Sequence, residues 1–295
     1  MNASDFSLER RGNDLVVNVL SSGHAITVKS QFTSPTDFWG IEQIQFADGT
    51  ALNKAEIKAA AWYRGTAGNE SISGSSGDDT FDGKGGNDIL TGYGGSDTYI
   101  YGVGSGNDVV SEHGADAGTD VVKLVGLNAS DVEFSRSGND LNIQIIATGE
   151  RLKVGNQFNG AYGVEQVAFA DGSAWDRTQI GNAAWFRGTS GNDSISGTSG
   201  NDTILGGAGN DTMSGGSGSD TFVFRANLGQ DVITDFTVGS DVLATQDGIF
   251  ADATTALAAA TASGNDTLIT IDANSSILLK NVALANLHTD DFHIV

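Results

Sequence analysis

Large apolar side chains recur every nine residues in two stretches of the chain. They are Ile72, Phe81, Leu90 and Tyr99, then Ile195, Ile204, Met213 and Phe222. An acid stands two places before each: Glu70, Asp79, Asp88 and Asp97, then Asp193, Asp202, Asp211 and Asp220. Glycines keep the same step, with Gly65, Gly74, Gly83 and Gly92 leading the first block and Gly188, Gly197, Gly206 and Gly215 the second. A period of nine is neither the 3.6 of a helix nor the 2 of a strand. It fits a unit of six turn residues and three strand residues. Glycine supplies the positive φ and the close backbone approach of the turn, and the apolar residue at the strand centre points inward. Two units complete one coil, and coils stack at roughly 4.8 Å. Acids eighteen residues apart then stand above one another: Asp79 over Asp97, Asp193 over Asp211, Asp202 over Asp220.

Outside the blocks the pattern changes. Leu141, Ile143 and Ile145 alternate with polar residues, and Leu152 and Val154 begin another strand. Phe46-Ala-Asp-Gly-Thr and Phe169-Ala-Asp-Gly-Ser predict a strand entering an Asp-Gly turn. Residues 53–61 and 176–184 are expected to be short helices. Trp62 and Trp185 follow them and are expected to cap the open ends of the coils. These segments are copies. Residues from Asn2 to Phe32 match those from Asn128 to Phe158 at an offset of 126, and after a three-residue deletion the match resumes at 123, through Ala60 and Ala183. The predicted organisation is a β-rich module at 1–64, a roll with its exit turn at 65–127, a second module at 128–187, a second roll at 188–235, and a β-rich carboxyl-terminal cap at 236–295. In the cap, residues 254–262 predict a helix, and 267–271 and 277–282 predict strands. The fold class is all-β: two parallel β-rolls alternating with small β-rich modules, plus a cap.

Charge turns this geometry into chemistry. Asp and Glu number 37 against 15 Lys and Arg, a net charge of −22. Such a chain lacks the basic residues that nucleic-acid binding needs. Two carboxylates about 5 Å apart repel by roughly 0.8 kcal/mol in water and about four times that at an effective dielectric of 20. A dication between them reverses the sign. Calcium suits the arrangement because it takes six to eight oxygens in flexible geometry, carboxylates and turn carbonyls alike. The expected ligands are Glu70, Asp79, Asp88, Asp97, Asp193, Asp202, Asp211 and Asp220, with the glycines Gly74, Gly83, Gly92, Gly197, Gly206 and Gly215 of the turns. Asp108 and Asp231 join them. Each lies eleven residues beyond the last acid in register, within GSGNDVV and NLGQDVI, as a repeated exit turn.

Units such as GGAGNDTMS and GGSGSDTFV resemble the glycine-rich nonapeptide of the RTX exoprotein family, whose repeat is itself among the documented repeat signatures. The resemblance implies a parallel β-roll that binds several calcium ions, calcium-induced folding, export by type I secretion machinery and an extracellular bacterial location. It also implies an uncleaved secretion signal in the terminal region that ends DDFHIV. The modules resemble the domain found beside such repeats in many large bacterial exoproteins. Two departures stand out: Glu70 replaces aspartate, and Lys84 sits in a turn expected to hold a cation.

Nothing in the sequence points to catalysis. The histidines His24, His113, His288 and His293 are scattered, cysteine is absent, and neither an H-E-x-x-H nor a G-x-S-x-G string occurs. Without cysteine, calcium takes the stapling role that disulfides hold in other secreted chains. No run is long and apolar enough to span a membrane. No amino-terminal signal peptide is apparent, so export is expected to use another address. The reading is a non-catalytic, calcium-folded secretion and structural region of a larger exoprotein, with more chain expected upstream of Asn2. The alternative is a calcium-dependent polysaccharide-binding or adhesion module, for which Trp39 and Tyr162 are the stacking candidates. The second block, with aspartate in all four units and a contiguous cap, is expected to bind calcium more tightly than the first.

Overall fold

The computed structural model describes all residues except 34–39, 113–117 and 161. The chain forms two compact units, Met1–Phe134 with Asn139–Ile180, and Ser135–Gly138 with Gly181–Val295.

The first unit is built on the predicted coil. Strands Trp62–Arg64, Thr80–Asp82, Thr98–Gly102, Val121–Val125 and Gln166–Ala168 run parallel on one face. Strands Ser71–Ser73, Ile89–Thr91, Asp108–Ser111 and Arg151–Val154 run parallel on another. The register step is the predicted eighteen: Tyr63 pairs with Phe81 and Phe81 with Tyr99. Their rings stack at 5.1 Å with interplanar angles of 11° and 10°. The inward position of the nonamer therefore becomes a continuous buried column, Phe81, Leu90 and Tyr99 being at most 1% exposed. Burial of this kind contributes about 25 cal/mol per Å² of apolar surface.

Both ends of this roll are covered. Below, strand Phe6–Arg11 pairs in parallel with Trp62–Arg64, Arg10 opposite Tyr63. The opening coil is thus covered by an arginine-bearing strand rather than by the tryptophans. Trp62 and Trp185 are only half-buried, each with an arginine guanidinium 4.6 Å from its ring, Arg64 and Arg187 respectively. Above, the second module continues both faces of the roll through Arg151–Val154 and Gln166–Ala168. Its Glu150 accepts hydrogen bonds from the N–H groups of Gly104 and Gly106 in the exit turn. The first roll therefore carries a cap of its own, contrary to expectation, and the module that supplies it is the one whose alternating residues Leu141, Ile143 and Ile145 are fully buried.

The second unit repeats the plan. Trp185–Arg187, Thr203–Leu205, Thr221–Phe224, Val242–Thr245 and the terminal strand Phe292–Ile294 form one parallel face. Ser194–Ser196, Thr212–Ser214, Gln230–Ile233 and Ser276–Leu279 form the other. The apolar core runs from Phe186 through Ile204, Met213 and Phe222 to Ile277 and Phe292. The helices Lys54–Ala60 and Arg177–Ala183 lie where predicted. The alanine-rich helix is shorter than predicted, Ala253–Ala258. Ala260–Ser263 instead pairs antiparallel with Asp266–Thr270 around Gly264, at φ 69°. Cross-strand pairing overrides alanine's helix propensity there. Among the described residues no helix is long and apolar enough to cross a membrane.

Candidate metal centre

The Asn-Asp dipeptide of the repeat makes two ladders that run in opposite senses. The residue before the acid offers its side chain to the N–H of the coil above. Asn69 Oδ1 accepts from Asn87 N–H, Asn192 Oδ1 from Asn210 N–H and Asn201 Oδ1 from Ser219 N–H, each at 2.9 Å. The acid itself reaches the other way, its Oδ1 accepting the N–H of the acid in the coil below. The second ladder satisfies turn amides that would otherwise be buried without a partner, whereas the asparagine ladder runs along the exposed rim.

Four stacks of carboxylates result, two in each roll. In the first, Asp79 N–H donates to Asp97 and Asp97 N–H to Asp120, both at 2.8 Å. On the other side Glu70 N–H donates to Asp88 at 2.7 Å and Asp88 N–H to Asp108 at 2.9 Å. In the second roll Asp193, Asp211 and Asp231 form one stack, with N–H to Oδ1 distances of 2.9 and 3.0 Å. Asp202, Asp220 and Asp241 form the other, at the same two distances. Every predicted acid is in a stack. All are buried except the half-buried Glu70 and Asp193, the outermost of their series.

The inner ladder uses one carboxylate oxygen and leaves the second. Asp88 Oδ2, Asp211 Oδ2 and Asp231 Oδ2 are buried and accept no hydrogen bond among the described residues. The leading glycines leave room for Oδ2 atoms of the stacks, the unpartnered ones of Asp88 and Asp211 among them. A Cβ on Gly83, Gly206 or Gly215 would run into Oδ2 of Asp88, Asp211 or Asp220. A Cβ on Gly74 would lie 2.8 Å from Asp79 Oδ2 and 2.9 Å from the Gly92 carbonyl oxygen. One on Gly197 would meet Asp202 Oδ2 and the Gly215 carbonyl oxygen, and one on Gly92 would meet Asp97 Oδ2. Carboxylate and carbonyl oxygens thus converge on hollows that only glycine leaves open. The leading glycines are not at positive φ; in the later turns the residues after them are, Gly207 at 103° and Gly216 at 93°.

Electrostatics point the same way. Burial, opposed by the backbone bond from Asp211 and assisted by that residue's charge, pushes the Asp231 carboxyl up to about 7. Burial likewise lifts Asp108 and Asp220 to about 6, and raises Asp88 and Asp211. Buried carboxylates with free oxygens and neighbours of like charge are a donor set for a hard, oxygen-seeking dication. Asp88, Asp108, Asp211, Asp220 and Asp231 with the turn carbonyls would hold calcium, whose charge offsets this repulsion.

Several residues of the site escaped sequence reasoning. Asp120 and Glu165 extend the Asp79 stack, Glu165 accepting the Asp120 N–H at 2.8 Å. Asp97, Glu112 and Asp120, all buried, place ligand atoms within 4.8 Å of one another, and the Tyr99 hydroxyl bonds to Glu112. In the second roll Asp241 extends the Asp202 stack. Asp291 follows, accepting the Gly239 N–H at 2.9 Å, and Asp235 takes the N–H groups of Gly215 and Gly216 at 3.0 Å. A signal for Asp120 and Asp241 was present: both, like Asp108 and Asp231, are followed by valine at the start of a strand. Lys84 does not oppose the stacks, because its Nζ pairs with Asp82 at 2.6 Å. Tyr162 is 40% exposed, whereas Trp39 and His113 lie outside the described residues.

Two family models match the chain. The model of the RTX calcium-binding nonapeptide repeat matches residues 64–99 and 187–222. That of the haemolysin-type calcium binding protein related domain matches 14–56 and 140–179, the two modules. A search of curated proteins finds no match. Among solved structures, the extracellular lipase LipA from Serratia marcescens aligns with 81% of this chain at 19% identity and a TM-score of 0.35; the alignment covers 43% of the lipase.

Proposed function

We propose, for a chain of the RTX calcium-binding repeat family, that it is the calcium-folded secretion and structural region of a larger bacterial exoprotein. It leaves the cell through type I secretion machinery, and calcium outside drives the rolls to fold. The observation that carries this reading is the set of buried carboxylate oxygens, Asp88 Oδ2, Asp211 Oδ2 and Asp231 Oδ2, that accept no hydrogen bond among the described residues, the first two of them beside the hollows at Gly83 and Gly206. An ionised carboxylate in such a place is costly without a counter-charge. Where calcium is scarce the rolls stay open, a form suited to threading through a narrow exporter. Where calcium is abundant the stacks close. The chain has no catalytic part in this reading; the activity belongs to segments joined to it. The test is a reporter fused ahead of Met1 and co-expressed with a type I exporter, with calcium varied in the medium. The fusion is expected in the medium, folded there and unfolded by chelation. Retention inside the cell would rule out the secretion half, and a fold indifferent to chelator would rule out the calcium half.

A further inference from the structure

Each of the four stacks opens on a carboxylate that protein donors already fill. The opening acids are Glu70, Asp79, Asp193 and Asp202. Four residues before each stands a hydroxyl residue: Thr66, Ser75, Thr189 and Thr198. Both its N–H and its Oγ donate to the acid. The distances are 2.8 and 2.6 Å for Glu70, 2.7 and 2.8 Å for Asp79, 2.6 and 2.9 Å for Asp193, and 2.5 and 2.8 Å for Asp202. In the turns that follow, the same position is Lys84, Tyr93, Gly207 or Gly216, all at positive φ between 71° and 103°. Among the nonapeptide turns the two-donor hydroxyl clamp is therefore confined to the opening ones; at the far end of a stack Thr237 gives Asp241 Oδ2 its N–H alone, at 2.8 Å.

The two opening acids that are buried, Asp79 and Asp202, have a further partner. Arg10 Nη1 lies 2.5 Å from Asp79 Oδ1, and Arg136 Nη1 lies 3.1 Å from Asp202 Oδ1. Oδ1 is the atom that higher in the stacks accepts an N–H from the coil below. At the opening coil a guanidinium stands in that place. The two arginines are held alike. Arg10 Nε donates to Gly12 O at 3.1 Å and Arg136 Nε to Gly138 O at 2.9 Å. Arg10 lies over the rings of Phe32 and Tyr63, and Arg136 over Phe186, at 4.6 to 5.1 Å. Each is paired in register with the first strand of its roll, opposite Tyr63 and Phe186. The two compact units build the same device separately.

We infer that Arg10 and Arg136 are resident cations that, with the hydroxyl clamps, make the opening coil of each roll a calcium-independent template on which the calcium-dependent coils assemble. This rests on the calcium reading above. A guanidinium keeps its charge at every relevant pH and pairs strongly with a carboxylate when buried. It thus supplies at the base of the stack the positive charge that calcium supplies above it. The next acids of two stacks lack such donors: among the described residues Asp88 Oδ2 and Asp211 Oδ2 accept no hydrogen bond. Assembly then runs from each module toward its exit turn.

Hydrogen exchange of the full chain in EGTA, read by peptide mass, tests this alongside calcium counting by equilibrium dialysis. In the wild type, peptides spanning 185–203 should exchange at least roughly tenfold more slowly in EGTA than those spanning 206–233. Calcium should equalise them. Arg136→Gln should lose the EGTA protection of 185–203, regain it in calcium and bind one ion more than the wild type. Equal exchange of the two segments in wild-type EGTA samples would overturn the inference, as would an Arg136→Gln chain with wild-type protection and ion count. Should Arg136→Gln stay unfolded in saturating calcium, Arg136→Lys decides: EGTA protection restored by the retained charge supports the inference, and its absence overturns it. A wild-type chain that binds no calcium sinks the calcium reading itself, an outcome visible in the dialysis alone.

Discussion

The N–H of Asp211 donates to Oδ1 of Asp231 at 3.0 Å although the two are twenty residues apart rather than eighteen. The extra residues are absorbed in the turn around Asn227 and Gly229, both at positive φ, so the stack passes through the break in the repeat without interruption. Asp211 therefore has an acid below it, Asp193, and an acid above it, and its own Oδ2 is buried without a hydrogen-bond partner among the described residues.

Asp211→Ala should accordingly be among the most damaging single changes. It removes the acceptor for the Asp193 N–H and a buried oxygen that no donor among the described residues fills. The calcium concentration at half-folding should rise at least about tenfold, equivalent to roughly 1.4 kcal/mol. Asp171→Ala, in an exposed Asp-Gly turn, should leave it unchanged. Circular dichroism titration of the two variants checks this, and equal midpoints would contradict it.

Chelation should abolish most of the β signal of both rolls. Glycine-rich backbone loses roughly 1–2 kcal/mol of entropy per residue on ordering, and three-residue strands bury little apolar surface to offset it. Refolding should occur at about 0.1–1 mM calcium, the range of extracellular modules. A far-UV spectrum unchanged by EGTA would rule this out.

Proton and calcium should act as rivals. Asp231, Asp108 and Asp220 have folded-state values of about 7, 6 and 6, above the unfolded value of about 3.9. They bind protons more tightly when folded. Without calcium, their penalty is full above pH 7, falls as pH drops through 7 and 6, and is gone below about 4. Structure in EGTA should therefore increase from pH 8 to pH 5. With calcium the direction reverses, and the half-folding calcium concentration should rise at least about tenfold between pH 7.5 and 5.5. A calcium midpoint independent of pH would remove these three acids from the site.

Glycine substitutions should separate two roles. Gly206→Ala places a methyl against Asp211 Oδ2 and should raise the calcium midpoint about as much as Asp211→Ala does. Gly181→Ala meets no atom within 4 Å in helix Arg177–Ala183 and should stabilise the chain, by up to about 1 kcal/mol. Thermal melts in calcium check both, and a stabilised Gly206→Ala would show that the hollow beside Asp211 holds nothing.

The stronger binding expected of the second roll loses two of its supports. The first roll is capped by Arg151–Val154 and Gln166–Ala168, and Lys84 pairs with Asp82. Glu70 remains as the difference, one methylene longer than the aspartates and clamped by Thr66. Asp88→Asn and Asp211→Asn in the full chain should therefore shift the calcium midpoint by similar factors, within about threefold of one another. A larger gap would restore the expected ranking.

The coil, its height, the inward column and the vertical pairing of Asp193 with Asp211 were legible in the sequence, because a nine-residue repeat ties neighbours in space to fixed distances along the chain. So were the short helices, which follow from local composition and flanking turns. What only the tertiary structure decided is what closes the ends. Arg10 meets Asp79 across 69 residues, and Glu165 meets the Asp120 N–H across 45. Neither distance belongs to any repeat. Which oxygen of each aspartate is taken by the backbone ladder and which is left for a cation is likewise set by the stacking of coils. A periodic sequence specifies its own interior, where every unit sees a copy of itself. It does not specify its first and last layers, which must be completed by chain folded on other rules.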